Sequence, residues 1–422
     1  MRIFIGVILL SVSFVAKASE PLRIGVIADM HYLSEKLMDD GSAVDRYMQS
    51  SGRMIKYTPF ILDSVLNHYS EGWADDIADI DILLVCGDMT KDGEKQSHLD
   101  FVKKLKPLQD KNVSVFVVPG NHDINMPNSV GFRGDKIYKV DNISPAKFEE
   151  IYRECGFNQA FRRDTASLSY VSVIDKYPES ETWLLAIDAA RYDEYTTHSI
   201  SGGRVLPQTE RWILDILEEA KRKNAHVIGM MHWGLVEHFP MQSALMKDYL
   251  VDDWERLANL FADNGLKAIF TGHSHANDIT KYTSSAKQSI YDIETGTLSS
   301  YPFSYRFIDY YPTNMNISTF NIDSLPQNPN LSLESKAQLY NLTKVIGKQK
   351  IKSFAFGLPA KTQEAFSDIL AQVFLLHVRG DEVVSNDLKM QIQALMGADN
   401  VGNNENFELD FFPPDNSVII TF

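Results

Sequence analysis

Apolar residues in this chain gather in short unbroken runs rather than in strict alternation. Residues 22–28, 82–86, 113–118, 183–187, 226–231 and 267–271 are each of strand length and rich in Val, Ile, Leu or Phe. That is the pattern of strands buried on both faces. Helical periodicity lies between several of them, at 59–69, 96–105, 145–154, 207–222 and 253–264. Pro59, Pro145 and Pro207 occupy acceptable first-turn positions, and Gly265 is a C-terminal stop. Strands alternating with helices predict an α/β fold with a substantially parallel sheet arrangement. After Gly272 the character changes. Residues 305–311 and 316–322 read as two strands joined around Pro312-Thr313-Asn314. Residues 323–330, with Leu325-Pro326-Gln327-Asn328-Pro329-Asn330, read as a linker. Beyond it, 332–346, 361–376 and 386–396 are helical in period, and 407–412 and 418–422 read as a short strand pair. Residues 331–422 are therefore expected to form a smaller, mainly helical C-terminal domain.

The first residues do not belong to this pattern. Arg2 precedes an apolar run, residues 3–16, that is short for a membrane span, and Ala16-Lys17-Ala18 is a small-x-small cleavage site. Residues 1–18 are expected to be a secretory signal peptide, which predicts an exported protein, periplasmic or secreted. No other long apolar stretch follows, so no stable membrane span is expected in the mature chain. Charge narrows the function. The net charge of −15 argues against a long nucleic-acid footprint, which needs a basic face. A small anionic substrate stays compatible with it, because bound cations invert the local field. With 422 residues a large core can be buried without disulfides. Cys86 ends an apolar run and is expected to point into the core, and nothing in its spacing demands a bridge to Cys155.

The chemistry lies at the strand ends. The first run ends in Asp29-Met30-His31, the second in Gly87-Asp88, and the third in Gly120-Asn121-His122-Asp123. The run 226–231 ends at His232, and the run 267–271 in Gly272-His273-Ser274-His275. Open α/β sheets place ligands beyond the carboxyl ends of their strands. Carboxylate and imidazole together suit borderline divalent ions such as Mn, Fe, Zn or Co, and a carboxylate can bridge two of them. Gly87, Gly120 and Gly272 let the chain turn where a Cβ would crowd the site. Asp-x-His or Gly-Asp alone recurs by chance. All five elements in this order, each after a strand, do not.

This set, Asp-x-His, Gly-Asp, Gly-Asn-His-Asp, His and Gly-His-x-His, resembles the calcineurin-like metallophosphoesterases over about residues 22–322, within a metallophosphoesterase domain spanning 19–322. The resemblance implies a two-sheet αββα sandwich and two divalent ions. One ion would take Asp29, His31, Asp88 and His275, and the other Asp88, Asn121, His232 and His273, with Asp88 bridging. His122 would act at the leaving-group oxygen, and Asp123 would orient His122 or cap the following turn. Lys91 stands where purple acid phosphatases carry Tyr, and the stretch 87–93 lacks the Asp-Arg-Gly of protein phosphatases. The segments 87–98, 117–125 and 168–170 look most like exported bacterial class III cyclic-nucleotide phosphodiesterases with an added helical domain, which often use manganese.

The expected activity is hydrolysis of a small phosphodiester, with 3′,5′-cyclic nucleotides as candidates, by attack of a metal-bridging hydroxide. The rivals are a phosphomonoesterase or pyrophosphatase acting on nucleotides or lipid precursors, and a non-catalytic binding protein. No nucleophilic Gly-x-Ser-x-Gly is present. Substrate selection is expected from the loops at 32–56 and 125–142.

Overall fold

The computed structural model describes residues 20–71, 79–176, 180–354, 357–396 and 411–422. The expected signal segment, and residues 407–410 of the expected strand pair, lie outside them. Leu22–Ile27 (β1), Ile82–Cys86 (β2) and Ser114–Val118 (β3) run parallel at one side of a first sheet. A small antiparallel hairpin, Val130–Arg133 (β4) with Lys136–Lys139 (β5), stands apart. Arg162–Arg163 (β6), Tyr170–Lys176 (β7), Glu181–Ala186 (β8), His226–Met230 (β9), Leu266–Thr271 (β10), Asp278–Thr283 (β11) and Ser289–Glu294 (β12) build a second sheet in the order β11-β12-β10-β9-β8-β7-β6. Ser304–Tyr311 (β13), Asn314–Asn321 (β14) and Ser417–Thr421 (β15) complete the first sheet, in the order β15-β14-β13-β1-β2-β3.

Each sheet thus has a parallel portion with antiparallel strands added: β12, β10, β9 and β8 run parallel in the second sheet, and β1, β2 and β3 in the first. The unbroken apolar runs named from the sequence are these parallel strands except β12. Their inner faces share one core. Val26, Leu84 and Phe116 of the first sheet join Leu184, Ile228 and Phe270 of the second. Burial of side chains this size contributes about 1.5–3 kcal/mol each.

Helices cover the outer faces. Ser42–Ser51 (α1) leads into Thr58–Ser70 (α2), which packs with Lys95–Asp110 (α3) on the first sheet through Ile61, Val65, Phe101 and Leu105. The short Pro145–Ile151 (α4) follows. Pro207–Arg222 (α5), Gln242–Leu245 (α6) and Trp254–Asp263 (α7) come next. The apolar stripes of α5 (Ile213, Ile216, Leu217) and α7 (Leu257, Phe261) meet Trp183, Val227 and Ile269 on the outer face of the second sheet. The chain therefore makes an αββα sandwich. Helix α3 continues five residues past Leu105 with Pro107 inside it, where the proline and the residue before it would ordinarily favour a stop.

The C-terminal region is helical, with Leu331–Phe354 (α8), Ala360–Arg379 (α9) and Asn386–Met396 (α10). Lys344 pairs with Asp368 at 2.9 Å and Lys348 with Glu364 at 2.6 Å, a register that makes α8 and α9 antiparallel. Tyr301, Leu339, Val378 and Phe374 form a small apolar cluster where this pair meets the sandwich. The expected pairing of 418–422 with 407–412 lies partly outside the described residues. Residues 417–421 add to β14 as an edge strand, Ile420 opposite Met315. Both cysteines are buried and unbridged. No helix among the described residues is long and apolar enough to cross a membrane.

Candidate metal centre and its cavity

The carboxyl ends of β1, β2, β3, β9 and β10 open into one crevice. The sharp exits that the sequence required are present as backbone conformation. Asp29 (φ 51°), His31 (φ 41°), Asp88 (φ 49°), His273 (φ 73°) and His275 (φ 62°) all lie in the left-handed region. Side chains other than glycine rarely adopt it, and it persists where surrounding structure over-determines it. The glycines before these residues answer to close approach. A Cβ on Gly87 would sit 2.4 Å from His232 Nδ1, one on Gly120 2.2 Å from Asp88 Oδ1, and one on Gly272 2.6 Å from Asp29 Oδ2.

Two clusters result. In one, ligand-type atoms of Asp29, His31 and His275 lie within 4.8 Å of one another; in the other, those of Asp88, His232 and His273 do. His275 Nε2 is 3.2 Å from Asp29 Oδ1 and 3.2 Å from His31 Nε2. His273 Nδ1 is 3.1 Å from His232 Nε2. Asp88 Oδ2 stands between the clusters, 3.7 Å from His31 Nε2 and 3.4 Å from His232 Nε2. Outer bonds orient these groups. His232 Nδ1 donates to Cys86 O at 2.7 Å, Asp29 Oδ2 accepts from His273 N at 2.8 Å, and Asp88 Oδ1 accepts from His122 N at 2.7 Å.

The residues fit a pair of cations. Among the described residues, Asn121 Oδ1 is buried without a hydrogen-bond partner, Asp29 Oδ1 is buried against the His275 ring nitrogen at 3.2 Å, and ring nitrogens face one another in both clusters. Such an arrangement is costly unless a positive charge lies among the lone pairs. The electrostatics agree. Burial disfavours the Asp88 carboxylate, yet His232 and His122 hold it well below the usual range. Burial disfavours protonated His232, but Asp88 and Asp29 outweigh it and lift it to about 9, whereas burial and His232 press His273 down to about 3.

Asp123 is fully buried and caps its turn, accepting from Gly120 N at 2.9 Å and Thr90 N at 3.0 Å. The carboxylate that reaches the His122 ring is Asp92, at 2.8 Å from Nδ1. Asp92 is paired in turn with the buried Lys91, which also contacts Glu94 at 3.0 Å and lies over the Tyr47 ring. Burial works against the Asp92 carboxylate, but Lys91 and His122 hold it at about 2. Sequence reasoning missed Asp92 because Asp-Gly reads as an ordinary turn.

Above the clusters is a cavity of about 280 Å³. Its floor includes Asp88, Asn121, His122, His273 and His275; its opposite wall is Leu339, Leu342 and Ile346 of α8 with Phe374 and Val378 of α9. Arg53 enters from the side and is the only Lys or Arg among the described lining residues. Burial disfavours its charge, but Tyr47, Asp92 and Asp88 more than offset that. The segment 32–56, expected as a loop, holds helix α1 and reaches the cavity through Ser51 and Arg53. The segment 125–142 holds the β4–β5 hairpin, and its Phe132 is buried against Tyr47 and Lys91 instead. A lone arginine in a mixed loop carries no motif, so nothing in the sequence singled it out.

Two carboxylate–imidazole clusters at the strand ends of an αββα sandwich define a metal-dependent phosphoester hydrolase. The chain matches the family described as calcineurin-like phosphoesterase over residues 22–277, more than half its length, and belongs to that family. A search of curated proteins finds no match. Among solved structures it is similar to a dimetal phosphatase from Danio rerio, with 14% identity, 72% of this chain and 97% of that chain covered, and a TM-score of 0.49. A purple acid phosphatase from yellow lupin (Lupinus luteus) seeds also matches, with 14% identity over 72% of this chain and 52% of that one and a TM-score of 0.40. Phosphopantetheinyl hydrolase from Mycobacterium tuberculosis matches with 11% identity over 66% and 90% and a TM-score of 0.34.

Proposed function

We propose that the protein is a dinuclear phosphodiesterase acting on small diesters, with 3′,5′-cyclic nucleotides among the substrates to try first. The observation that carries this reading is Asp88, whose Oδ2 lies between the two clusters while its Oδ1 accepts from the backbone of His122. Asp29, His31, His275 and Asp88 would hold one cation, and Asp88, Asn121, His232 and His273 the other. Bound there, two divalent ions such as manganese would supply Lewis-acid charge and an activated water.

The chain's own groups do the rest. Asp92 accepts from His122 Nδ1 and turns Nε2 to the leaving-group oxygen; the doubly protonated ring is the form that donates its Nε2 proton there or stabilises the charge, and after donation it is left as the neutral imidazole. Lys91 keeps Asp92 ionised for that task. Arg53 places one further positive charge beside the site, which suits the single charge of a diester. The apolar wall of α8 and α9 gives the ester's organic part a surface to bury against and keeps bulk water away.

The test is hydrolysis of bis(p-nitrophenyl) phosphate against p-nitrophenyl phosphate by metal-stripped protein reloaded with manganese. Preference for the diester is expected. Preference for the monoester would replace this reading with a phosphomonoesterase. Export is part of the proposal, and sequencing the mature N-terminus should find Ser19 first.

A further inference from the structure

A second group of buried acids and histidines lies outside the cavity, where α9 meets the second sheet. It gathers Asp278 at the start of β11, Asp292 and Glu294 at the end of β12, His238 from the connection before α6, His377 of α9, and Glu382 just past that helix. His238 Nδ1 is 2.7 Å from Asp278 Oδ1, and its Nε2 is 3.3 Å from Asp292 Oδ2 and 3.4 Å from Glu294 Oε2. His377 Nδ1 is 2.8 Å from Glu382 Oε1 and 3.9 Å from Asp278 Oδ2. Ligand-type atoms of Asp278, His377 and Glu382 all lie within 4.8 Å of one another.

The protein's own hydrogen bonds do not satisfy this group. Among the described residues, neither carboxylate oxygen of the fully buried Glu294 has a hydrogen bond, although His238 Nε2 lies 3.4 Å from Oε2; Asp278 Oδ2, Glu382 Oε2 and His238 Nε2 are also buried without a hydrogen bond. Asp292 differs. Its Oδ1 accepts from Thr271 Oγ1 at 2.5 Å and its Oδ2 from Leu235 N at 2.5 Å. Four carboxyl groups therefore converge with two imidazoles, and three of the four retain an oxygen without a hydrogen bond. Such a concentration is stable when a cation or added protons compensate it.

We propose that Asp278, His377 and Glu382 bind a third divalent cation, separate from the dinuclear centre, with Glu294 and His238 shaping the field around it. Two carboxylates with one imidazole suit borderline ions such as manganese or zinc. The site joins the C-terminal end of α9 to the head of β11. Its role is to clamp the wall of the cavity to the sandwich, not to touch the substrate.

The experiment is metal counting by elemental analysis on full-length protein reloaded with Mn²⁺ and freed of excess ion by gel filtration. Three ions per chain are expected for the wild type. Two are expected for Glu382→Gln, with diester turnover kept and a lower thermal midpoint in Mn²⁺. His377→Gln is the second variant, with the same expectation, should the first fail to fold. A wild-type count of two overturns the proposal and leaves the cluster compensated by protons. A third ion that persists in either variant overturns the assignment of its ligands.

Discussion

The floor and the wall of the cavity are built by different means. Every candidate ligand on the floor follows a buried strand after one to three residues, and five of the seven, Asp29, His31, Asp88, His273 and His275, hold a backbone conformation that side chains seldom adopt. Displacing one of them strains the others, because glycine exits bring neighbouring residues into direct contact. The wall is a pair of helices joined by solvated ion pairs and a small apolar cluster. It contributes side chains such as Leu342 and Phe374 without backbone strain. On the proposed function, the contrast assigns the chemistry to a part whose residues constrain one another, and selection among esters to a part that can change residue by residue.

The largest expected effect tests the floor. Asp88→Asn should cut diester turnover by about 10⁴-fold, since several kcal/mol of charge stabilisation depend on the two cations. Retention of two ions and of activity in that variant would break the comparison at once. His122→Ala should follow, with a loss of about 10²–10³-fold on an unactivated diester and less on a nitrophenyl ester, whose leaving group needs little help. Steady-state rates on both substrates check this; equal losses on the two would show that His122 does not serve the leaving group. Phe374→Ala on the wall should raise KM about tenfold with kcat nearly unchanged. A fall in kcat as deep as that of His122→Ala would mean that floor and wall are one apparatus. The smallest effect belongs to Glu364→Gln, which removes a solvated partner of Lys344 and Lys348. It should leave the thermal midpoint unmoved in calorimetry.

The same division governs what could be read from the sequence. Parallel strands buried on both faces appear as unbroken apolar runs, so β1, β2, β3, β8, β9 and β10 were legible, and with them the turns that follow each. Helices α5 and α10 were legible to their ends. The hairpin of β11 and β12 was not, because Thr280, Lys281 and Asp292 interrupt any apolar run. The strand β15 was legible as a strand but not in its pairing, since its partner β14 lies far back in the chain and pairing leaves no local trace. Asp92 and Arg53 stayed hidden for a related reason. Each matters only through residues brought near by the fold, His122 for the one and the cavity floor for the other.

Strands β14 and β15 lie side by side and antiparallel, as the two arms of a hairpin do. Topologically, residues 322–416 are the connection of that hairpin, enlarged until it carries the wall. The entropy of closing such a connection grows only with the logarithm of its length. Helices can therefore be lengthened, exchanged or deleted between these arms at little cost to the sheet that anchors them. New ester specificities in proteins of this architecture should then arise by rewriting one enlarged turn while the strand ends stay as they are.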